Sequence, residues 1–490
     1  MNARLIKETR ALLPMFVCTL PLIVLPTLIW PAEAFGYLAL GVACVVMAGS
    51  TFCMEFQHRT ISLLLSQPIP RSVIWREKMI ILGAGMVTSL AVLVVCLVVS
   101  PPGNGHQDLV VLALIPLCAF CGTPFWTLQM RQGIGGMVAA VGFPSAVMAV
   151  CALVNDQLGI NNEAVLVTAF IAFLLIYCPV VGWLGYAKFK QLEAVDMPSR
   201  ELSLPGGLEA ILVAPLTRVS SRFGGPVATL LKKEFRLQQI SFLLAGVFVL
   251  IALGGFCLTK SHREVAAGIV GGDLFLYALI LPLIAGAISV AEERGWGMAE
   301  WQLTLPPSTR TQWSAKMAVT LTTSLVLGLL LPAVVFMLAD PLFNQPGART
   351  SFPPAFAILC WVLGQLVMTS VAVYTASFAK NTLQAILAAL VILAAGGGLV
   401  WFAIYSAHYV ALAPVQWMGQ PRVDEWLILP LLSIALISVL CLFQWFAWCN
   451  FPRYGLRAAR LIGQFAVTLL VVWLIAWFFF SALIFLNGGF

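Results

Sequence analysis

Cysteine and histidine are the residues best suited to chemistry, because both bind metals and take part in redox or proton-transfer reactions. Cys118 and Cys121 have the spacing of a redox motif, but no second pair follows and the surrounding sequence is apolar. The histidines form no metal-binding pattern and stand in or near expected loops: His58, His106, His262 and His408. We therefore predict no metal site and no catalytic residues, and we interpret the chain as not being an enzyme.

A phosphate-binding motif is also missing from the sequence. No Gly-x-x-x-x-Gly-Lys-Ser/Thr segment occurs, so the chain lacks the glycine-rich loop whose backbone amides cradle nucleotide phosphates. We expect no cofactor to be bound by this chain itself.

A polar segment with a proline stop occurs twice and is the most informative feature of the sequence. The first copy begins at Glu55, and its run 60–66 is predicted to form a short helix that ends before Pro68. Ser72 is then predicted to cap the next helix. Five residues recur at a separation of 238: Glu55, Leu65, Pro68, Trp75 and Lys78 match Glu293, Leu303, Pro306, Trp313 and Lys316.

A second pair of matching segments strengthens this repeat. Lys7-Glu8-Thr9-Arg10 recurs 226 residues later as Lys233-Glu234-Phe235-Arg236, and each copy precedes an apolar run. Two ordered blocks at equivalent positions indicate an internal duplication.

The elements that carry these segments must lie in a membrane. The 490 residues are 61% hydrophobic and only 10% charged, whereas soluble domains are about 25% charged. We predict an all-α polytopic membrane protein with two parallel six-helix repeats and one extra C-terminal transmembrane helix. A span needs roughly 20 apolar residues, and thirteen candidates follow: 12–30, 34–53, 79–99, 109–127, 133–154, 164–187, 240–258, 272–291, 317–339, 355–377, 382–408, 426–449 and 461–487.

These spans divide the chain into four parts. The first six-span repeat covers 1–190, a cytoplasmic linker 191–229, the second six-span repeat 230–455, and the additional transmembrane helix 456–490. Glycine-rich stretches at 133–142 and 396–398 predict either kinks or close helix packing.

The positive charges fix the expected orientation. With a cytoplasmic N-terminus, 23 of the 27 Lys and Arg residues face the cytoplasm, and the four others are Lys260, Arg263, Arg349 and Arg422. We expect a multi-pass protein of a bacterial inner membrane with a periplasmic C-terminus. Anionic lipid headgroups account for the net charge of +7, so no nucleic-acid partner is expected.

The repeated loop resembles a known family. An acidic residue closing the second span, then Arg59-Thr60, Leu64-Leu65-Ser66, Pro68 and Arg71, is similar to the permeases of ABC exporters of type two. The resemblance covers both halves, although Gly297 replaces Arg59 in the second copy. It implies an exporter subunit that moves a hydrophobic or amphipathic substrate outward. ATP and Mg²⁺ would be bound by a separate ABC ATPase, in two copies for a single permease chain.

The resemblance also implies which residues couple to the ATPase. These coupling residues lie in the two loops: Glu55, Arg59, Thr60, Leu64, Leu65, Ser66, Pro68 and Arg71 in the first, and Glu293, Glu300, Trp301, Leu303 and Pro306 in the second. Without the repeat, the same segments would be interpreted as interfacial helices that merely connect two spans.

Two other functional classes stay open. An ion-gradient-driven carrier with parallel six-span repeats would need ionisable residues inside the spans, and we find none near a span centre. A membrane enzyme acting on lipids would need a cluster of catalytic polar residues near one membrane face, and the sequence offers no such cluster.

Overall fold

The computed structural model describes thirteen stretches of chain: 3–29, 33–57, 60–99, 109–131, 133–157, 163–192, 226–257, 263–295, 297–298, 307–343, 354–415, 425–453 and 458–487. Helices are the only regular elements in these ranges, which confirms the all-α prediction.

The first half consists of long helices and one short one. In chain order they are α1 (Ala3–Ile29), α2 (Glu33–Gln57), the five-residue α3 (Ile61–Leu65), α4 (Arg71–Val99), α5 (Leu109–Met130), α6 (Gly133–Gln157) and α7 (Glu163–Gln191).

The second half contains eight described helices and one π-helical turn. Its helices are α8 (Pro226–Leu237), α9 (Gln239–Cys257), α10 (Arg263–Gly295), α11 (Thr309–Leu325), α12 (Leu331–Phe343), α13 (Pro354–Ala376), α14 (Thr382–Val415) and α15 (Glu425–Asn450). A π-helical turn, Val326–Leu330, joins α11 to α12, and α16 (Ala458–Asn487) completes the chain.

The helices identify a membrane protein. Within the described ranges, eight are long and apolar enough to cross a bilayer, and four more apolar helices are shorter. Each of the thirteen predicted spans falls on helical residues wherever the structure describes it, except at Ser377, one residue past the end of α13. The number of spans that cross the membrane and their direction stay predictions.

Corresponding helices have corresponding neighbours in the two halves. In the first, α2 packs on α5, and α5 packs on α6 and α7. In the second, α10 packs on α13, and α13 packs on α14 and α15. The contacts between the halves are reciprocal as well, because α1 packs on α14 while α9 packs on α6.

Close packing accounts for the first glycine-rich stretch but not for the second, where no atom lies within 4 Å of a methyl group added at Gly396. Helices α6 and α14 are continuous through Gly142 and through 396–398. A methyl group added at Gly136 would lie 2.5 Å from the Thr127 Cα atom, so α5 and α6 approach each other closely there. The irregular turn lies instead at Val326–Leu330, where Tyr277 and Trp361 donate hydrogen bonds to the carbonyl oxygens of Leu327 and Gly328.

The C-terminal helix is attached to the second half by a buried amide pair. Gln464 of α16 and Asn450 of α15 exchange two hydrogen bonds of 3.0 and 3.1 Å, and the Tyr374 hydroxyl donates to Gln464 over 3.4 Å. The rest of α16 packs along α14 and α15. Buried amide pairs fix the register of apolar helices, so α16 is an integral part of the second bundle.

Candidate functional site

A buried lysine lies behind the first repeated loop. The Lys78 side chain of α4 is 2% exposed, and its Nζ atom is 2.7 Å from Glu8 of α1 and 3.2 Å from Glu55 of α2. It also donates to the Thr51 carbonyl oxygen over 3.4 Å. One ammonium group therefore joins three helices at the point where the chain leaves α2 for the loop.

The second half contains a cluster of the same composition. Lys316 of α11 is fully buried, 2.8 Å from Glu234 of α8 and 2.7 Å from Glu293 of α10. It donates to the Ser289 carbonyl oxygen over 3.0 Å, and Lys233 adds a further ion pair to Glu293 at 2.6 Å.

The two lysine clusters consist of the residues that recur in the sequence. Lys78, Glu55 and Thr51 correspond to Lys316, Glu293 and Ser289 at the common separation of 238, and Glu8 corresponds to Glu234 at 226. Even the backbone acceptor is matched. Each half therefore contains a buried ionic centre. In the first half it joins α1, the end of α2 and the start of α4, and in the second half it joins α8, the end of α10 and the start of α11.

The two clusters differ in their electrostatics. Burial by itself raises the pKa of Glu55, but the Lys78 ammonium and the Thr60 hydroxyl outweigh this effect and hold the pKa below its ordinary value. Burial raises the pKa of Glu234, and the neighbouring Glu293 carboxylate adds to the rise despite Lys316. The pKa values of Glu55 and Glu234 are therefore shifted in opposite directions.

Both loops leave their helix through the same backbone geometry. The Thr60 amide donates to the Glu55 carbonyl oxygen over 3.0 Å, and the equivalent Met298 amide donates to the Glu293 carbonyl oxygen over 2.9 Å. In the second copy Gly297 has φ +70°, which completes a glycine-terminated helix end. The glutamates that bind the lysines are therefore also the residues whose carbonyl groups terminate the helices.

A tryptophan one turn before each lysine packs against the end of the last helix of its half. Trp75 lies 6.1 Å from Tyr186 and 5.5 Å from Phe189 of α7, measured between ring centroids. Trp313 lies 5.9 Å from Trp448 of α15 and 5.3 Å from Phe451, the residue that follows this helix. Each pair of partners is three residues apart, so the loop region of each half rests on an equivalent aromatic contact.

The structure divides the predicted coupling residues of the first loop into anchors and exposed groups. Glu55 lies in the lysine cluster, and Leu64 and Leu65 are buried in a core with Phe52 and Ile74. Burial makes these three groups anchors that hold α3 against the bundle. Only exposed groups can touch a docked protein.

The exposed side of the same loop carries a residue that the sequence analysis did not select. Ser66 and Pro68 are exposed, and Leu63, just before the buried Leu64, is 66% exposed. Thr60 is half-buried, and its hydroxyl donates to the Glu55 carboxylate. The Arg71 guanidinium donates to the Lys190 carbonyl oxygen at the end of α7. Arg59 lies outside the described residues.

The second loop is described only in part. Glu293 is in the lysine cluster, while Glu300, Trp301, Leu303 and Pro306 lie outside the described residues. Met298, just after the helix end, is 44% exposed.

The helix that follows the loop begins differently from the prediction in the first half. Helix α4 begins at Arg71, and Pro70 rather than Ser72 occupies the capping position, with its carbonyl oxygen accepting from Ile74 over 3.4 Å. The equivalent position in the second half is Ser308, whose hydroxyl accepts from the Thr311 amide over 3.3 Å. Proline fits a cap position because its missing N–H would have no helical partner there.

The lysine-cluster residues recur in the sequence, but their recurrence did not predict that they contact each other. Glu8, Lys78, Glu234 and Lys316 were not selected as site residues, although their recurrence at fixed separations was the available signal. A lysine that is buried beside a membrane span needs a partner of opposite charge. The glutamates in the two repeated segments are such partners.

Asp273 lies near the start of a candidate span, in agreement with its predicted position at a span end. Asp273 of α10 falls within the apolar window Val270–Gly295, and its Oδ2 atom is buried without a hydrogen-bond partner in the described part of the chain. Unpartnered intramembrane carboxyl groups are characteristic of ion and proton pathways.

Comparison of the chain with protein-family models, curated proteins and solved structures finds no match.

Proposed function

We propose that this chain is the membrane permease of an ATP-driven exporter, whose ATP is hydrolysed by a separate ABC-type ATPase. The observation that carries the proposal is the pair of lysine clusters. Each connects a loop to three helices of its own bundle. A force applied at either loop reaches a whole bundle through such a connection, because buried ion pairs resist separation.

The reciprocal contacts between the bundles support an alternating motion. Helices α1 and α14, and α9 and α6, form the two matching contacts between the halves. Two ATPase copies that close on ATP would press both loops together and shift one bundle against the other. An apolar interface of this kind suits a hydrophobic or amphipathic substrate, which would leave the cytoplasm or the inner leaflet of a bacterial inner membrane.

The exposed loop residues provide the test of docking. The variants L63E and M298E place a charge on the proposed docking surfaces without touching either lysine cluster. We expect each to lower the amount of ABC ATPase that co-purifies with the chain about tenfold, which corresponds to roughly 1.4 kcal/mol of binding free energy.

A matched control keeps this test specific. V227E makes a similar change at a 45% exposed position of α8, away from the loops, and should leave co-purification unchanged. Equal ATPase recovery from wild type, L63E and M298E would show that the loops are not the docking surfaces.

An ion-driven carrier is the second candidate, and Asp273 is the observation that favours it. In that case the purified chain would move substrate under a proton or sodium gradient without any ATPase, and D273N would abolish the movement. In the exporter, D273N would leave ATPase co-purification intact.

A further inference from the structure

The strongest unassigned feature is a group of three thiols between α5 and α7. Cys118 and Cys178 approach to 3.6 Å between their Sγ atoms, although they are 60 residues apart in the chain. Cys121, one turn from Cys118 on α5, packs against the same buried cluster that contains Cys178. The spacing of Cys118 and Cys121 did not by itself predict a redox site, and the structure adds Cys178 of α7 beside them.

Helix packing holds the three thiols in place. Cys178 is 2% exposed and belongs to a buried cluster with Tyr177 and Val181, against which Cys118 and Cys121 pack. The Trp126 indole donates to the Tyr177 hydroxyl over 2.9 Å and ties α5 to α7 beside the thiols. At Gly182 an added methyl group would lie 3.6 Å from the Cys121 Sγ atom, so the two helices run in contact there.

Metal binding does not explain this arrangement. Within the described ranges, no group of three or more His, Cys, Asp or Glu side chains is arranged to hold a metal ion. A disulfide, in contrast, needs only two sulfur atoms. The Cys118 and Cys178 sulfurs would have to approach by ~1.6 Å to reach the bonded distance, which side-chain rotation can contribute.

We propose that Cys118, Cys121 and Cys178 form an intramembrane thiol site that a lipid-soluble hydroperoxide oxidises to a disulfide joining α5 to α7. Cys118, which is only partly buried, attacks the peroxide: its sulfur becomes a sulfenic acid, the O–O bond breaks, and the thiol proton leaves with the alcohol product. The Cys178 sulfur then attacks the Cys118 sulfur, the S–S bond forms, and water leaves. One hydroperoxide thus accepts the two electrons lost by the two thiols.

Cys121 makes the site tolerant of losing one thiol. Because it lies on the same side of α5 as Cys118, it can replace Cys118 as the partner of Cys178 or exchange with it. Cys178 is therefore the indispensable member, and the product is always a bond between α5 and α7.

The test treats the full-length chain in lipid nanodiscs with tert-butyl hydroperoxide, followed by non-reducing peptide mapping. We expect the intact chain to lose two hydrogen atoms, a Cys118–Cys178 or Cys121–Cys178 peptide to appear, and dithiothreitol to reverse both changes. In C118S the Cys121–Cys178 peptide should remain. C178S should yield neither peptide, while C441S, at an exposed cysteine of α15, should behave as wild type.

Two results would overturn the proposal. One is a wild-type chain that keeps the three thiols reduced, or oxidises them separately to sulfinic acids, while a control thiol is consumed. The other is an intrachain disulfide of α5 that forms equally well in C178S. Neither readout depends on transport, so the result stands apart from the proposed exporter function.

Discussion

The most informative residues of this molecule are two lysines that the membrane environment should disfavour. Lys78 and Lys316 are almost completely buried, and each has two carboxylates and one carbonyl oxygen within contact distance. Buried ion pairs seldom add net stability compared with well-packed apolar residues, but removing one partner is costly. Their occurrence at equivalent places in both halves therefore indicates that they position the helices relative to each other rather than add net stability.

The first prediction concerns the loss of the central ammonium. K316M should lower the free energy of unfolding by about 3–5 kcal/mol, because Glu234 and Glu293 lose the charge that compensates them. Thermal or denaturant unfolding in detergent measures the loss.

K233M is the matched control, since the Lys233 side chain is 39% exposed and its pair with Glu293 is partly solvated. It should cost no more than about 1 kcal/mol. Equal losses of unfolding free energy in K316M and K233M would contradict the conclusion that Lys316 is the charge that compensates both glutamates.

The second prediction uses the opposite pKa directions of Glu55 and Glu234. The folded pKa of Glu55 lies below its ordinary value of 4.5, so its stabilising contribution is present above that pH and is lost as the pH falls below it. The melting-temperature difference between wild type and E55Q should therefore be constant above about pH 5 and shrink on acidification.

E234Q should show the reverse trend. The folded pKa of Glu234 is raised, so its contribution is present at acid pH and declines as the pH rises above 4.5. Parallel pH profiles for the two variants would show that the clusters are electrostatically alike, contrary to the structure.

At the residue scale the sequence revealed which side chains matter but not what they touch. The repeat singled out Glu55, Lys78, Glu293 and Lys316, yet the same pattern led to the interpretation of the two glutamates as docking residues. Both glutamates are buried in lysine clusters, and this burial depends on how α1 packs on α2 and α4 and how α8 packs on α10 and α11, which no local pattern encodes. Leu63 was missed for the same reason, because only the orientation of α3 separates it from the buried Leu64 and Leu65.

At the element scale the apolar runs predicted the helices well, because a membrane span must satisfy all its backbone hydrogen bonds within one helix. The sequence did not predict the helix cap in the first half or the π-helical turn inside a span of the second half. Pro70 displaced Ser72 as the cap, and the π-helical turn at Val326–Leu330 has no sequence signal that separates it from the uninterrupted α4. That turn depends on Tyr277 and Trp361, which reach it from other helices.

Close contact between α10 and α13 gives the third prediction. A methyl group added at Gly286 would lie 2.6 Å from both the Ala372 Cβ atom and the Thr369 carbonyl oxygen, so G286A must separate two helix backbones. We expect a loss of about 1–3 kcal/mol in unfolding free energy, measured by thermal unfolding in detergent.

G246A is the control for helix propensity. No atom lies within 4 Å of a methyl group added at Gly246 of α9, so alanine there should be neutral or stabilising by up to about 1 kcal/mol. A G286A variant as stable as G246A would contradict the close approach of α10 and α13.

At the scale of the whole molecule, the two halves share their internal contacts and their lysine clusters, and they contact each other reciprocally. They also differ, because α16, the π-helical turn and Asp273 belong to the second half, while the three-thiol site belongs to the first. The sequence predicted two repeats and the extra helix. The reciprocal contacts of α1 with α14 and of α9 with α6 required the structure, since they depend on long-range packing.

The central claim is that an outside ATPase acts on this chain through its two loops. The most direct measurement is affinity purification of the chain from its native membranes, followed by native mass spectrometry of the assembly in lipid nanodiscs. The account predicts one copy of this chain with two copies of an ABC-type ATPase, and loss of the ATPase in L63E and M298E. A chain that purifies without any ATPase and transports under an ion gradient alone, with D273N abolishing that transport, would contradict it.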